Sequence, residues 1–240
     1  MDVTVSGCPV RGIIFDKDGT LFDFSTTWEA WAAAFLRRAA CGDEERAQRA
    51  GAAIGFDLTR ARFLPKSIVI AGTPIEIASE LNAYFPDLSF DELVALLNDE
   101  AAHAPQAEAV PLKPLLTTLR ARGLALGVAT NDAEAPARAH LQSAGADGFF
   151  DFIAGSDSGF GGKPAPGQLL AFCADTGLAA KTVVMVGDST HDLHAGRAAG
   201  MSTVGVLTGM APLDVLVPHA DIVLPDIGAL PDWLDQLATV

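Results

Sequence analysis

The sequence predicts an α/β fold, in which helices cover both faces of a parallel sheet and a helical segment is inserted after the first strand. Two observations predict this fold. In the second half of the chain, short apolar runs alternate with amphipathic, helix-like stretches, which is the pattern of consecutive βαβ units. From about Leu21 to Ala109 the apolar residues instead recur at helical spacing, so this interval interrupts the alternation directly after the first strand.

Six apolar runs are predicted to be buried strands. The first, "RGIIF" at Arg11–Phe15, precedes the helical interval. The other five follow it, at Leu124–Thr130, Phe149–Gly155, Thr182–Asp188, Ser202–Thr208 and Asp221–Leu224. Continuous apolar runs are typical of parallel strands that are buried on both faces. Between them lie helix-like segments such as "PGQLLAFCADTG", which end at glycine, the usual residue just beyond a helix.

The helical interval is predicted to be a unit of its own on the α/β core. Residues 1–20 and 110–240 would form the core and residues 21–109 the insert. Within the insert only "SIVIAG", at Ser67–Gly72, has strand character. Trp28 and Trp31 are expected to face the interior of the insert rather than a dimer surface.

Composition excludes several classes of function. The chain has 240 residues, half of them apolar, and 30 acidic against 16 basic side chains give a formal net charge of −14, which disfavours a nucleic-acid-binding protein. No basic leader segment is visible, and no apolar run approaches the roughly 20 residues that span a bilayer. Three widely spaced cysteines predict reduced thiols. We therefore expect a cytoplasmic globular protein without a membrane or nucleic-acid partner.

Polar residues follow four of the predicted strands, at the carboxyl ends where function collects in open α/β sheets. The first strand is followed by Asp16-Lys17-Asp18 and the second by Thr130-Asn131-Asp132. "GFGGKPAP", which carries Lys163, comes just after the third strand, and Asp188-Ser189 ends the fourth. These groups are expected to converge on one edge of the sheet.

The residue types at this edge suit phosphoryl chemistry. Oxygen ligands such as Asp16, Asp18 and Asp188, with Asp192 close behind on the next helix, suit the hard cation Mg²⁺. Hydroxyl, amide and ammonium donors around the same point would neutralise the charge on a phosphoryl group. One carboxylate can then act as the nucleophile and another as the general acid and base.

Other interpretations compete for each motif taken alone. "DKDGT" can be a polar turn. A calcium loop of the EF-hand type is excluded because its sixth and twelfth positions would hold Leu21 and Thr27. Asp188 or Ser189 could serve only to cap a helix, and His191 and His194, one helical turn apart, could be a zinc pair without a third ligand nearby. The conjunction of four motifs at successive strand ends favours a catalytic site.

At these residues the sequence resembles the haloacid-dehalogenase-like superfamily of phosphohydrolases. Its four motifs are matched in order by Asp16-Lys17-Asp18-Gly19-Thr20, Thr130-Asn131, Lys163-Pro164 and Gly187-Asp188-Ser189 through Asp192. The resemblance implies a Rossmann-like parallel sheet core with a helical cap inserted after the first strand. It also implies Mg²⁺-dependent hydrolysis of a phosphate ester through a phospho-aspartate.

The resemblance also implies roles for individual residues. Asp16 would be the nucleophile and a metal ligand. Asp18 would be the general acid and base, and it would touch the metal through its backbone carbonyl. Asp188 would be the third metal ligand from the protein, and Asp192 would contact the metal ligands or reach the metal through a water molecule.

The donors of the other two motifs are assigned in the same way. Thr130 and Asn131 would hold the phosphate. Lys163 would neutralise the phosphate and orient Asp16. The role of Lys17, which directly follows the nucleophile, stays open.

The substrate class also follows from the resemblance. Asp18 distinguishes phosphate-ester hydrolases from members that cleave carbon–halogen bonds. The stretches "KPAPGQLLAFCADTG" and "VGDSTHDLHAGRAAGM" are most similar to the phosphoglycolate phosphatase subgroup, which makes 2-phosphoglycolate the best guess. The basic residues Arg60, Arg62 and Lys66 of the insert could supply a cation for its carboxylate.

Three alternatives remain open. The chain could be a phosphomutase of the β-phosphoglucomutase type, a sugar-phosphate phosphatase or, least favoured because no catalytic residue is lost, a non-enzymatic protein that binds a phosphorylated ligand. A monomer or a homodimer is expected.

Overall fold

The structure, a computed structural model, describes residues 4–5 and 8–237, with side chains from Pro9 onward. Its strands in chain order are β1 (Thr4–Val5), β2 (Cys8–Pro9), β3 (Gly12–Phe15), β4 (Phe56–Asp57), β5 (Arg62–Phe63), β6 (Ala125–Ala129), β7 (Phe152–Ala154), β8 (Val183–Gly187), β9 (Ser202–Val206) and β10 (Ile222–Leu224). Six of them form one sheet in the order β10-β9-β8-β3-β6-β7, and all five neighbouring pairs are parallel.

The first predicted strand lies in the middle of this sheet. β3 pairs with β6 on one side and with β8 on the other. Alternation along β3 sends Ile13 into the apolar cluster on one face and Ile14 into the cluster on the other, and both side chains are fully buried. Burial on both faces explains why the strand has no polar position. The predicted α/β class with a parallel sheet is therefore confirmed.

The helices in chain order are α1 (Phe24–Ala39), α2 (Glu44–Ala53), α3 (Pro74–Leu81), α4 (Phe90–Ala102), α5 (Leu112–Ala121), α6 (Glu134–Ser143), α7 (Gly167–Thr176), α8 (Thr190–Ala199), α9 (Leu213–Leu216) and α10 (Leu230–Leu237). Side-chain oxygens begin several of them: Asp23 Oδ1 accepts a hydrogen bond from the Thr26 N–H at 2.7 Å. Gly177 and Gly200 end α7 and α8 in the left-handed conformation. Among the described residues, every helix is too short or too polar to cross a lipid bilayer.

Helices α1 to α4 lie between β3 and β6 in the chain and share an apolar cluster of their own. Its buried members all fall between Phe24 and Ala101 and include Trp28 and Trp31, as the sequence predicts. Leu21 and Phe22 pack instead into the cluster on the sheet. We therefore propose residues 1–20 with 110–240 as the core and residues 21–109 as the insert, with Leu21 and Phe22 as its connection to the sheet.

The predicted strand character of Ser67–Gly72 is wrong. Residues Ile68–Ile70 form a 3₁₀ helix, and the Val69 N–H donates to Ser67 Oγ at 3.2 Å. Short apolar runs suit either structure, and a strand also needs a partner for its backbone groups. In the described part of the insert the only strands are β4 and β5, which pair with each other, and Val69 is buried in the cluster of the insert.

Candidate active site

One cavity lies where the carboxyl ends of β3, β6 and β8 face the insert. Because β3 is the central strand, the residues that follow it lie between those that follow its two neighbours. The residues predicted for the site all line this cavity, namely Asp16, Asp18, Thr130, Asn131, Lys163, Asp188 and Asp192. The structure therefore brings these seven side chains, from all four motifs, together in one place.

Lys163 is enclosed by two carboxylates. Its Nζ donates to Asp16 Oδ1 at 2.5 Å and lies 2.7 Å from Asp192 Oδ1. Burial alone would lower the pKa of Lys163, but the charges of Asp16 and Asp192 raise this pKa above its ordinary value. Lys163 is therefore a cation beside Asp16 at neutral pH.

The carboxylates outnumber this single cation. The pKa of Asp16 is raised to about 7, first by burial and then by the charges of Asp192 and Asp18, against the opposing effect of Lys163. The pKa of Asp188 is also raised well above its ordinary value, first by burial and then by the charges of Asp192 and Asp16. Buried like charges in this number call for a further cation.

The geometry fits a divalent metal ion. Carboxylate oxygens of Asp16, Asp188 and Asp192 lie within 4.8 Å of one another. Two glycines leave room for the carboxylate of Asp188. A Cβ on Gly209 would lie 1.7 Å from Asp188 Oδ2, and a Cβ on Gly19 would lie 2.6 Å from the same oxygen. This set of buried, oxygen-only donors suits a hard cation.

Asp192 also forms hydrogen bonds at the start of α8. Its Oδ2 accepts from Ser189 N at 3.0 Å and from Ser189 Oγ at 2.7 Å, at the start of α8, while its Oδ1 faces Lys163. Ser189 is thus the N-cap residue of α8 and forms a capping box with Asp192, so the capping role considered for Asp188 or Ser189 belongs to Ser189. With both oxygens engaged, Asp192 is suited to support a metal ligand, which is the part that the resemblance implies for it.

Asn131 and Thr130 organise the loops around the cavity. Asn131 Nδ2 donates to the carbonyl of Ala71, in the insert, at 2.7 Å and to the carbonyl of Lys163 at 2.9 Å, and Asn131 Oδ1 accepts from the Lys163 N–H at 2.7 Å. Thr130 Oγ1 accepts from the Asp132 N–H at 3.1 Å. The predicted contact of both side chains with a phosphate stays a prediction.

Lys17, whose role the sequence leaves open, is completely buried beside the cavity. Its Nζ lies 2.7 Å from Asp18 Oδ1, 3.2 Å from Asp132 Oδ2 and 3.0 Å from His140 Nδ1. Since an ammonium only donates, His140 Nδ1 accepts, and its Nε2–H donates to the carbonyl of Ala101 at 2.6 Å. Burial, and then the charge of Lys17, lowers the pKa of His140 to about 4, so its ring is neutral near neutral pH.

The sequence placed Asp132 among the strand-end residues without assigning it a role, and it did not point to His140. Asp132 directly follows the second motif, and this position was its only signal. His140 lies on α6 without any motif. The zinc alternative gains no support: His194 Nε2 lies 3.1 Å from His219 Nδ1, and the one group of three or more potential ligands among the described residues consists of aspartates alone.

The insert side of the cavity is apolar. Phe24, Trp28, Val69, Ile77 and Leu97 line it. The three basic residues suggested for a substrate carboxylate are exposed and do not line it, namely Arg60, Arg62 and Lys66. Arg60 lies 3.8 Å from Asp57 in a solvent-exposed ion pair.

Comparison with known proteins agrees with the fold and the motifs. The chain is 33% identical over 211 residues to a protein of Dickeya dadantii (strain 3937) described as "Probable phosphatase IndB", covering 85% of this chain and 84% of that one. It is 30% identical over 241 residues to a "Phosphoglycolate phosphatase" of Yersinia pestis, covering 95% and 97%. The crystal structure of a predicted phosphoglycolate phosphatase from Haemophilus somnus 129PT has the same fold, with a TM-score of 0.70 at 20% identity over 93% and 97% of the two chains.

The family model described as haloacid dehalogenase-like hydrolase matches residues 10–200. This range includes the strand ends that carry all four motifs and the whole insert. The Rossmann-like core with a helical cap, implied by the resemblance, is thereby confirmed. The chain belongs to the haloacid dehalogenase-like hydrolase family.

Proposed function

We propose that this protein is a Mg²⁺-dependent phosphomonoesterase that hydrolyses a small phosphorylated metabolite through an aspartyl-phosphate on Asp16. One observation carries the proposal. Asp16 directly follows the central strand, lies in a cluster of three buried carboxylates and is hydrogen-bonded to Lys163. This arrangement supplies a nucleophile and positive charge at one point, which phosphoryl transfer requires.

Each step can be assigned to residues of this chain. A carboxylate oxygen of Asp16 attacks the phosphorus, and the bond from phosphorus to the leaving oxygen breaks as Asp18 donates a proton to that oxygen. Asp18 then takes a proton from a water molecule that attacks the same phosphorus, which releases inorganic phosphate and restores Asp16. Lys163 balances the negative charge of the phosphoryl oxygens throughout.

The acidic cluster accounts for the metal requirement. Asp16 and Asp188 would hold Mg²⁺ together with the backbone carbonyl of Asp18, and Asp192 would support them from its place at the start of α8. When bound, Mg²⁺ would neutralise charge on the phosphoryl oxygens. Without it, the buried carboxylates repel one another and the incoming phosphate.

The identity of the ester is supported less directly. The relatives named phosphoglycolate phosphatase make 2-phosphoglycolate a candidate substrate. The basic residues suggested for its carboxylate, Arg60, Arg62 and Lys66, do not line the cavity, so the support comes from the relatives alone. A monomer or homodimer stays the expected assembly.

A panel of phosphate esters tests the proposed function. Phosphate release would be measured with Mg²⁺ and with excess chelator, on 2-phosphoglycolate, β-glucose 1-phosphate, p-nitrophenyl phosphate and several sugar and nucleotide monophosphates. We expect release that needs Mg²⁺ and returns when Mg²⁺ is restored. Full activity in excess chelator would contradict the metal assignment. Isomerisation of β-glucose 1-phosphate without phosphate release would indicate a phosphomutase, and binding without turnover a phospholigand-binding protein.

A further inference from the structure

The wall that the insert contributes to the cavity is uncharged. Phe24, Trp28 and Val69 are each less than a tenth exposed, as are Ile77 and Leu97. Among the residues that the structure describes, Lys163 is the only lysine or arginine that lines the cavity, and it belongs to the core and is already engaged by Asp16 and Asp192. A negatively charged leaving group would thus lose its water against this wall without gaining a cation there.

Two buried polar atoms interrupt this apolar wall. Trp28 Nε1 and Asn98 Oδ1 are buried and have no hydrogen-bond partner in the described part of the chain, and both residues line the cavity. The neighbouring indole of Trp31 is satisfied, because its Nε1–H donates to the carbonyl of Leu97 at 3.0 Å. Buried donors and acceptors are nearly always paired in folded proteins, so these two atoms indicate hydrogen bonds that a bound ligand completes.

We infer that the leaving group of the substrate is neutral and largely apolar and carries a hydrogen-bond acceptor that the Trp28 indole N–H recognises. A donor on the same group would meet Asn98 Oδ1. This inference rests on the proposed phosphomonoesterase function and narrows its substrate class. It places 2-phosphoglycolate, whose leaving group bears a carboxylate, among the poor substrates.

A matched pair of esters tests the apolar part of the inference. Benzyl phosphate and 2-phosphoglycolate both present a phosphate on a CH₂ group and differ in the phenyl or carboxylate group attached to it. We expect kcat/KM for benzyl phosphate to be at least about tenfold higher, since burying an aromatic ring in an apolar pocket contributes about that much. An equal or higher value for 2-phosphoglycolate would overturn the inference. Absence of Mg²⁺-dependent release from every ester, p-nitrophenyl phosphate included, would instead reject the proposed function.

A second pair of esters tests the hydrogen bond. The three pyridinylmethyl phosphates have nearly the shape of benzyl phosphate and add one acceptor nitrogen at different ring positions. We expect at least one isomer to exceed benzyl phosphate in kcat/KM, and Trp28→Phe to reduce this preference by about three- to tenfold, the worth of one hydrogen bond. The control is Trp233→Phe, which changes a buried indole of α10 outside the cavity and should leave the preference unchanged. An unchanged preference in Trp28→Phe would refute the assigned donor.

A different observation carries a second inference, which concerns Lys17. Its buried ammonium is held on one side by Asp132 and His140 and donates to Asp18 Oδ1 at 2.7 Å. It also lies 5.4 Å from the centre of the Trp28 ring, and His140 donates to the carbonyl of Ala101 on α4. The contacts of Lys17 therefore connect the end of β3 with α6 and with two helices of the insert.

We propose that Lys17 is a positioning residue for Asp18, anchored by Asp132 and His140. It would hold the carboxyl group of Asp18 where that group can deliver a proton to the leaving oxygen. This also rests on the proposed function. Lys17 itself does not touch the reacting atoms in this assignment, so removing it should impair the two proton transfers of Asp18. The first of them, proton delivery to the leaving oxygen, can be measured separately through kcat/KM.

Leaving groups of different acidity separate this role from a structural one. The ratio kcat/KM reports the steps up to departure of the leaving group. Because p-nitrophenol is a much stronger acid than benzyl alcohol, departure from p-nitrophenyl phosphate needs little proton donation by an acid. We expect Lys17→Met to lower kcat/KM for benzyl phosphate by about a hundredfold, the usual contribution of a general acid, and to change the value for p-nitrophenyl phosphate by less than about threefold. Lys181→Met, at an exposed lysine outside the cavity, is the control.

Two further variants distinguish a positioning role of Lys17 from a general loss of structure. In an Asp18→Asn background, Lys17→Met should have no additional effect on the ratio of the two esters, because the acid is already absent. Lys17→Gln keeps a hydrogen-bond donor and serves as the substitute if Lys17→Met does not fold. We expect Lys17→Gln to lower kcat/KM for benzyl phosphate selectively, by about tenfold. An equal loss on both esters, a selective loss that persists with Asp18→Asn, or a wild-type ratio in Lys17→Gln would overturn the proposal.

Discussion

At the scale of single residues, Asp16 carries the chemistry. Asp16→Asn preserves the volume of the side chain and its contact with Lys163 but removes the nucleophilic oxygen. We expect phosphate release from the preferred ester to fall by at least about a thousandfold, as for other covalent nucleophiles. Steady-state phosphate release measures this loss, and thermal unfolding of the same sample verifies the fold. Activity within tenfold of the wild type would contradict an aspartyl-phosphate at this position.

His140 makes a prediction about stability and pH. Its pKa is lowered from 6.5 to about 4 in the folded protein, by burial and by the charge of Lys17. The unfolded chain therefore binds a proton more readily, and the stability that neutral His140 contributes is lost as pH falls from about 6.5 towards 4. Asp132, also near Lys17, has its pKa raised to about 6 by burial and opposes this trend, so a comparison with a variant is needed.

The measurement is the free energy of unfolding of the wild type and of His140→Gln in urea at two pH values. We expect the advantage of the wild type to be larger at about pH 7.5 than at about pH 5, by about 2 kcal/mol. The effect of Asp132 is common to both proteins and largely cancels in the difference. An advantage that stays constant or grows as pH falls would show that His140 is not held neutral by its surroundings.

At the scale of elements, the loop after β9 shapes the metal site from outside the four motifs. Gly209 lies so close to Asp188 that an added Cβ would stand 1.7 Å from Oδ2. Gly209→Ala should therefore displace this carboxylate and weaken Mg²⁺ binding by about ten- to a hundredfold, the range seen when the surroundings of metal ligands are altered. Calorimetric titration with Mg²⁺ measures the affinity.

A glycine elsewhere in the chain provides the matched control for the Gly209→Ala substitution. Gly148 has open space around the position of an added Cβ, so Gly148→Ala should bind Mg²⁺ like the wild type. If Gly209→Ala also retained wild-type affinity, the loop after β9 would have no part in the metal site.

At the scale of the whole molecule, the buried acidic cluster lowers the stability of the folded protein in the absence of a metal ion. Asp16, Asp188 and Asp192 meet one lysine in the interior of a chain with a net charge of −14. Because the pKa of Asp188 is raised in the folded state, its carboxylate costs stability once pH has risen through that folded-state pKa. Mg²⁺ should remove this cost, since a ligand that binds only the folded state stabilises it.

Thermal unfolding of Asp188→Asn tests this balance. With chelator present, the variant should be more stable than the wild type by on the order of 1 kcal/mol, because one buried charge is gone. Added Mg²⁺ should raise the Tm of the wild type and leave that of the variant nearly unchanged. Asp214→Asn, which removes the same charge from an exposed position, should behave like the wild type. A variant less stable than the wild type in chelator would refute the account.

Much of the site could be predicted because it depends on strand ends. A parallel sheet places the residues after β3, β6 and β8 at one edge, so Asp16, Asn131 and Asp188 could be expected together from their positions after apolar runs. The insert was harder to predict. Ile68–Ile70 form a 3₁₀ helix instead of a strand, since a run of three apolar residues does not reveal whether another strand lies beside it.

The α/β class, the helical interval after the first strand and the residue types that meet at the carboxyl edge follow from the sequence, because they depend on local periodicity and on the order of segments along the chain. The groups that surround Lys17 and the part of the insert that faces the cavity depend on tertiary packing, since His140, for example, lies 123 positions from Lys17. Arg60, Arg62 and Lys66 turned out to lie outside the cavity and Trp28 and Asn98 within it. The face that a helix presents to another unit depends on how the two units pack, and helical periodicity identifies only the face that is buried.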